Sequence, residues 1–258
     1  LVAILVSLGV VPIALTRVSE PRIDLVEPLK LSKLMRMSPL GVVGALSAGV
    51  VNGAFWGMAP VFGRRLGLGD DGIALLMSST ILGGVILQWP IGHLSDRIDR
   101  RTILILTSFS TAVAALMITY IVMQGYPGLI ISAFLYGGLM FTLYSISVAH
   151  TNDHLTAGQV LEATRSLLLV YGIGALFGPV LGGIAMQSIG PPGLPAMSAM
   201  TAAFLALFGL FRVTRRAPPA LEEQAEFVPM VRTSPVALKM HPEADQSPES
   251  DVTDPEPK

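Results

Sequence analysis

The sequence contains no cysteine. Disulfides, thiolate metal sites and a cysteine nucleophile are therefore excluded, although the absence does not identify a compartment. Charge is also scarce, because Asp, Glu, Lys and Arg make up 14% of the 258 residues, against about 25% in an ordinary soluble domain. Apolar side chains reach 52%. A composition this apolar argues against a soluble domain.

The missing charges leave four long stretches of the chain without any Asp, Glu, Lys or Arg. These gaps run from Arg36 to Arg64, Asp71 to Asp96, Arg101 to Asp153 and Arg165 to Arg212. A helix needs about 20 apolar residues to cross about 30 Å of hydrocarbon, so each gap can hold one or two such helices. We predict an all-α membrane protein whose spans are 40–62, 73–94, 102–124, 127–149, 166–187 and 193–211.

The first segment, Leu1–Leu15, is apolar apart from Ser7 and has neither an initial Met nor a basic stretch before it. It is therefore a poor signal peptide. Fifteen helical residues reach only about 22 Å, which is short of a full crossing. We expect this segment to be the end of a transmembrane helix, and the chain to be a fragment.

The basic residues predict the orientation, because cytoplasmic loops of membrane proteins are rich in Lys and Arg. Alternate loops carry twelve basic residues on one side and two, Arg64 and Arg65, on the other. The twelve are Arg17, Arg22, Lys30, Lys33, Arg36, Arg97, Arg100, Arg101, Arg165, Arg212, Arg215 and Arg216. We expect a multi-pass protein of the inner (plasma) membrane whose C-terminus is cytoplasmic.

Two polar segments flank the predicted bundle at 39–212. Residues 16–38 are expected to form a cytoplasmic loop. Its second half, Leu29–Met37, fits either a short basic amphipathic helix on the inner leaflet or an irregular tether. Residues 213–258 are rich in proline and acidic residues and cannot bury enough apolar surface to fold. We predict a disordered cytoplasmic tail there.

Glycines recur at every fourth position in two spans. One stripe is Gly49, Gly53 and Gly57, and the other is Gly174, Gly178 and Gly182. Small residues at this spacing allow close helix packing. Together with the weak points at Pro90 and Pro179 they would also allow helices to bend or slide, and spacing alone does not separate the two interpretations.

The most specific motif is the charged turn between the second and third full spans. It contains Gly92, Asp96, Arg97, Arg100 and Arg101. This Gly-x-x-x-Asp-Arg-x-x-Arg-Arg pattern resembles the signature that major facilitator superfamily transporters carry between their second and third helices and again between the eighth and ninth. Asp99 stands where glycine is usual, as in the weaker second copy.

Further residues resemble the YcaD-type branch of this superfamily. They are Gln88-Trp89-Pro90-Ile91-Gly92, Asp96 to Arg101, and Arg232-Thr233-Ser234-Pro235-Val236 in the tail. The superfamily has twelve helices in two six-helix halves, each built from inverted three-helix repeats. The resemblance implies that this chain is the C-terminal half, with Leu1–Leu15 as the end of the sixth helix, and that an N-terminal six-helix half is missing.

The resemblance also implies where a solute would bind. Helices seven, eight, ten and eleven of the family line a central cavity, and polar or aromatic residues on them are candidates for the substrate pathway. These candidates are Asn52, Trp56, Gln88, Tyr136, Tyr144 and Tyr171. The alternative for each residue is that its polar group forms a hydrogen bond with a neighbouring helix and does not contact a solute.

The resemblance implies a gating role for the turn motif as well. Asp96 would cap a helix in the other half. One of Arg97, Arg100 and Arg101 would pair with an acid such as Asp153. Arg101 is also a candidate for binding lipid phosphate.

No signal for an enzyme or for nucleic-acid binding appears. His150 and His154 lie four apart with Asp153 between them, but zinc needs more ligands, so we expect no metal site and no cofactor. The basic residues are scattered among loops and form no nucleic-acid patch. The sequence therefore predicts a transporter that moves a small-molecule substrate across the lipid bilayer by alternating access. A membrane-embedded scaffold or regulator, and an inactive truncated transporter, are the alternatives.

Overall fold

The computed structural model describes residues 31–124, 128–155 and 157–213, and these ranges contain seven helices and no strand. In chain order they are α1 (Leu31–Met37), α2 (Pro39–Arg65), α3 (Asp70–Arg97), α4 (Arg100–Met123), α5 (Leu129–Asn152), α6 (Ala157–Ile189) and α7 (Gly193–Val213). Helices α2 to α7 are long and apolar enough to cross a membrane. The predicted all-α membrane bundle with six spans is confirmed.

Helix α6 is longer than the sequence predicted. It begins at Ala157, whereas the expected span began at residue 166. Glu162 and Arg165 were assigned to a loop because they are charged, but they lie three residues apart on the helix and form an ion pair. The additional turns therefore carry the charged residues on a helix that extends beyond the apolar segment.

Several predicted segments lie outside the described residues. They are the partial helix at 1–15, the loop up to residue 30 and the tail after Val213. Within the described part, α1 resolves one open alternative, because Leu31–Met37 is helical and not an irregular tether. Leu34 is fully buried against the bundle, while Leu31 and Met35 on the same short helix remain exposed.

The helices pack as three main pairs. The closest pairs are α2 with α6, α3 with α5, and α4 with α7. This pairing is symmetric if α2, α3 and α4 correspond to α5, α6 and α7, in that order. Under this correspondence the α2–α6 pair becomes the α5–α3 pair, and the α4–α7 pair stays the same. The bundle is therefore built from two related three-helix units.

Glycines bring the backbones of the α2–α6 pair into direct contact. A Cβ added to Gly49 or Gly53 would collide with the carbonyl oxygen of Tyr171 or Ala175 on α6. Conversely, a Cβ on Gly178 would collide with the carbonyl oxygen of Val50 on α2. The repeated approach of a glycine Cα–H to a carbonyl oxygen is a weak attractive contact. Both predicted stripes therefore face each other across this pair.

The α3–α5 pair has a glycine contact of the same kind. A Cβ on Gly83 would meet the carbonyl oxygen of Phe134, and one on Gly137 would meet that of Thr80. The neighbouring Gly84 and Gly138 face side chains of the partner helix. The sequence did not single out these glycines, because they do not form a stripe of three at four-residue spacing.

Candidate functional site

A cavity of about 170 Å³ lies between α2, α3, α5 and α6. Its walls combine both glycine-packed pairs, and none of its lining residues is charged. The lining residues are Asn52, Trp56, Ile81, Gly84, Val85, Gln88, Phe141, Tyr144, Leu168 and Tyr171. Five of the six residues predicted for the substrate pathway are therefore brought together.

Asn52 supplies a buried amide to this cavity. Its side chain is 2% exposed, and its Nδ2 donates a hydrogen bond to the carbonyl oxygen of Ala48 at 2.9 Å, one turn earlier on α2. This bond fixes the amide orientation, since the opposite orientation would place two acceptors together. The Oδ1 atom is buried and has no hydrogen-bond partner among the described residues. Within the described part of the chain, Asn52 therefore bonds to its own helix, whereas the structural alternative was a bond to a neighbouring helix.

Gln88 lies on the opposite wall and does bridge two helices. Its Nε2 donates to Oγ of Ser145 on α5 at 3.1 Å. This bond holds α3 against α5 two residues before Pro90, which lacks the N–H that a helix needs at that position. The Gln88 carboxamide is thereby held beside the cavity.

Aromatic rings form two other parts of the wall. The rings of Tyr144 and Tyr171 are tilted against each other with their centroids 4.7 Å apart. Trp56 lies 5.4 Å from Phe55 and 6.2 Å from Phe141, measured between centroids. These spacings are those of attractive aromatic pairs. The cavity is thus lined by aromatic groups on both pairs of helices.

Tyr136 is the predicted pathway residue that does not line this cavity. It is 7% exposed and belongs to a separate cavity of about 40 Å³, which is shared with Thr80 and Ser198. Met140, one turn further along α5, is completely buried in the core. Tyr136 and Met140 therefore pack inside the bundle, whereas Tyr144, one further turn along α5, reaches the main cavity.

A buried charge cluster occupies the end of the bundle at which α3 ends and α4 begins. The side chain of Arg100 is 1% exposed and donates to Oδ1 of Asp153 at 2.5 Å and to Oδ1 of Asp96 at 2.9 Å. It also donates to the carbonyl oxygen of Ala149 at 3.3 Å, near the C-terminal end of α5, where a cation is favoured. One guanidinium therefore ties together the ends of α3 and α5 and the start of α4.

The other motif residues have different surroundings. Asp99 caps α4, since its side chain accepts a hydrogen bond from the backbone N–H of Arg101 at 3.0 Å. Gly92 is buried, whereas Arg97 is exposed. Arg101 is 6% exposed and shares a cavity of about 20 Å³ with His150 and other residues from three helices. The expected pairing of one arginine with Asp153 is present, and Arg100 is the residue that makes it.

The two histidines contact each other near the end of α5. Their rings lie 5.0 Å apart, and Nδ1 of His154 is 2.9 Å from the carbonyl oxygen of His150. No group of three or more potential metal ligands occurs in the part of the chain that the structure describes.

Comparison with known proteins identifies the family to which this helix bundle belongs. The profile of the Major Facilitator Superfamily matches residues 2–242. The chain belongs to the major facilitator superfamily. The pairing of its helices agrees with this assignment, since each six-helix half of a major facilitator contains two inverted three-helix repeats.

The curated relatives belong to the YcaD-like branch of the superfamily. A protein of Escherichia fergusonii named "Uncharacterized MFS-type transporter YcaD" is 29% identical over 189 residues, which cover 72% of this chain and 48% of the relative. A transporter of Enterobacter sp. (strain 638) is 29% identical over 186 residues, covering 71% and 47%. A YcaD of Salmonella arizonae is 27% identical over 182 residues, covering 70% and 46%. The chain spans about half the length of these relatives.

Proposed function

We propose that this major facilitator chain forms the C-terminal six-helix half of a secondary transporter, which moves a small solute across the inner membrane by alternating access. In this proposal α2 to α7 are the seventh to twelfth helices of the whole protein. The cytoplasmic side carries the twelve basic residues, the charge cluster and the tail.

The cavity between α2, α3, α5 and α6 is the observation that carries this proposal. A bundle that served only as an anchor would need no recess of this kind. Four helices nevertheless leave a volume of about 170 Å³ beside the buried amide of Asn52, and the recess is open on one side, because Val85 on its wall is 68% exposed. Transporters of this class bind their solute between helices of the two halves, near the middle of the membrane.

The charge cluster supplies a gate in this proposal. Arg100 fastens the ends of α3 and α5 to α4 on the proposed cytoplasmic side. Asp96 is less buried than Asp153, with 25% of its side chain exposed against 2%. Asp96 is therefore the acid that can also contact the other half while the cytoplasmic side is closed.

Cysteine labelling of the full-length protein tests alternating access directly, since this chain contributes no background thiol. Val85 lines the cavity and is 68% exposed, so Val85→Cys places a thiol there with little disturbance. A membrane-impermeant maleimide is applied to right-side-out and inside-out vesicles of a protein whose other cysteines, if any, are replaced. Leu106→Cys on α4, an exposed residue outside the cavity, is the matched control.

Alternating access predicts that the thiol introduced by Val85→Cys reacts from both sides, and that locking one side closed abolishes labelling from that side while increasing it from the other. Leu106→Cys should show no such exchange. Labelling of the Val85→Cys variant from one side only, unchanged by any substitution in the charge cluster, would contradict the proposal and favour a scaffold.

A further inference from the structure

The cavity contains an acceptor that no residue in the described part of the chain satisfies. Asn52 uses its Nδ2 on its own helix, and its buried Oδ1 receives no hydrogen bond from the described residues. An unsatisfied buried polar atom costs free energy, so such an atom beside a cavity calls for a partner. A ligand with an N–H or O–H group is the partner that an amide oxygen accepts from.

The walls of the cavity favour a flat ring. Two aromatic pairs line the cavity together with the Asn52 amide, Tyr144 with Tyr171 and Trp56 with Phe141. Aromatic side chains bind other rings by offset or edge-to-face contacts, which are attractive beyond the area they bury. Ile81 and Leu168 add apolar surface to the same walls.

The residues that line the cavity offer no counter-ion. None of these ten residues is an Asp, Glu, Lys, Arg or His. Placing an ionised group against these walls would remove it from water without a compensating charge, which is strongly unfavourable. The part of a solute that contacts these walls is therefore neutral.

The volume indicates how much of a solute lies within these walls. About 170 Å³ is slightly more than the cavity of about 150 Å³ that accommodates benzene in another protein. One ring, or a compact fused pair, fits without a large rearrangement.

We propose that this cavity recognises a small, neutral aromatic solute, or the aromatic end of a larger one, through a hydrogen bond that its N–H or O–H group donates to Oδ1 of Asn52. The proposal rests on the proposed transport function for the role of the cavity, and it adds the class of substrate. Because Oδ1 is closed off from solvent in this conformation, the Asn52 amide turns slightly when the ligand enters. The terminal torsion of Asn is soft enough for such a turn.

Matched ligands test this proposal without relying on any substitution. Indole carries one N–H donor, whereas benzofuran has the same shape with an oxygen acceptor at that position. Saturable binding of each to the full-length protein in nanodiscs is measured by calorimetry, and binding to empty nanodiscs is subtracted. We expect indole to bind at least about 10-fold more tightly than benzofuran, which corresponds to about 1.4 kcal/mol.

Asn52→Leu then links the preference to the residue. Its similar volume preserves packing, and the indole preference should fall to less than about 2-fold. Thr111→Ala is the control, since Thr111 is also buried and bonded to its own helix, but lies on α4 outside the cavity. This variant should keep the preference. If Asn52→Leu does not fold, the comparison of indole with benzofuran in the unmodified protein still decides.

Two outcomes would overturn the proposal. They are equal affinity for indole and benzofuran, and failure of indole to bind at all. The labelling experiment with Val85→Cys is independent of these measurements. Alternating labelling without indole recognition would refute the substrate class alone, whereas indole recognition without alternating labelling would refute the transport function alone.

Discussion

Replacing Asp153 by Asn should destabilise the protein far more than the same change at Asp96. Asp153 contacts Arg100 at 2.5 Å, and both side chains are almost completely buried, at 2% and 1% exposure. Breaking a buried ion pair on one side typically costs about 3–5 kcal/mol. Because Asp96 still faces Arg100, we expect a smaller loss of about 1.5–3 kcal/mol, which is the contribution of one charge-assisted hydrogen bond.

Asp96→Asn should cost about 1 kcal/mol, because a quarter of the Asp96 side chain is exposed and solvent screens its interaction with Arg100. Asp70→Asn serves as the matched control, since its ion pair with Arg64 is almost fully exposed. It should have little effect. The readout is the midpoint of thermal unfolding of the full-length protein in detergent, followed by size-exclusion chromatography.

The order of the three midpoints is the decisive result. The Asp153 variant should melt several degrees below the Asp96 variant, and the Asp70 variant should match the unmodified protein. Adding Arg100→Gln to Asp153→Asn should recover part of the loss, since the buried charge is then removed. Equal midpoints for the Asp153 and Asp70 variants would show that Arg100 is not held in the buried pairing described above.

Three other predictions follow from sequence and structure. A reporter fused after Arg216 should be cytoplasmic and one inserted at Gly67 external; the opposite result at both sites would refute the orientation. Gly53→Ala should lower the thermal midpoint, because the new Cβ meets the backbone of Ala175. Gly172→Ala places its Cβ in open space and should be neutral or slightly stabilising. Equal effects of the two substitutions would disprove the close backbone contact between α2 and α6. Asp96→Asn should slow turnover and raise cytoplasmic-side thiol accessibility at normal expression; unchanged values would reduce the motif to a topological anchor.

The six spans could be predicted from the sequence because hydropathy depends on length and composition alone. The helix ends near charged residues could not, since an ion pair such as Glu162 with Arg165 keeps a helix regular outside the apolar layer. The first glycine stripes were identified by spacing. The contact of Gly83 with α5 could be recognised only from the structure, because the glycines on these two helices do not recur at every fourth position.

The candidate site could also be predicted only in part from the sequence. Asn52, Gln88 and Tyr171 were selected as polar or aromatic residues on particular helices, and the cavity does unite them. Tyr136 shares a helix with Tyr144, but its direction depends on packing against α7. Only the structure shows that Arg100, and not Arg97, pairs with Asp153. Helix α3 ends before Ile98 and α4 begins at Arg100, and residue spacing does not predict how the chain turns between the two helices.

The glycine contacts within the two helix pairs bear on which parts of the bundle can move as units. Within each pair, α2 with α6 and α3 with α5, backbones touch so closely that sliding apart would lose many contacts at once. The cavity has one wall on each pair. We therefore expect the volume of the cavity to change when the two pairs move relative to each other as units, with Gln88 and Ser145 on one pair and Asn52 with Tyr171 on the other.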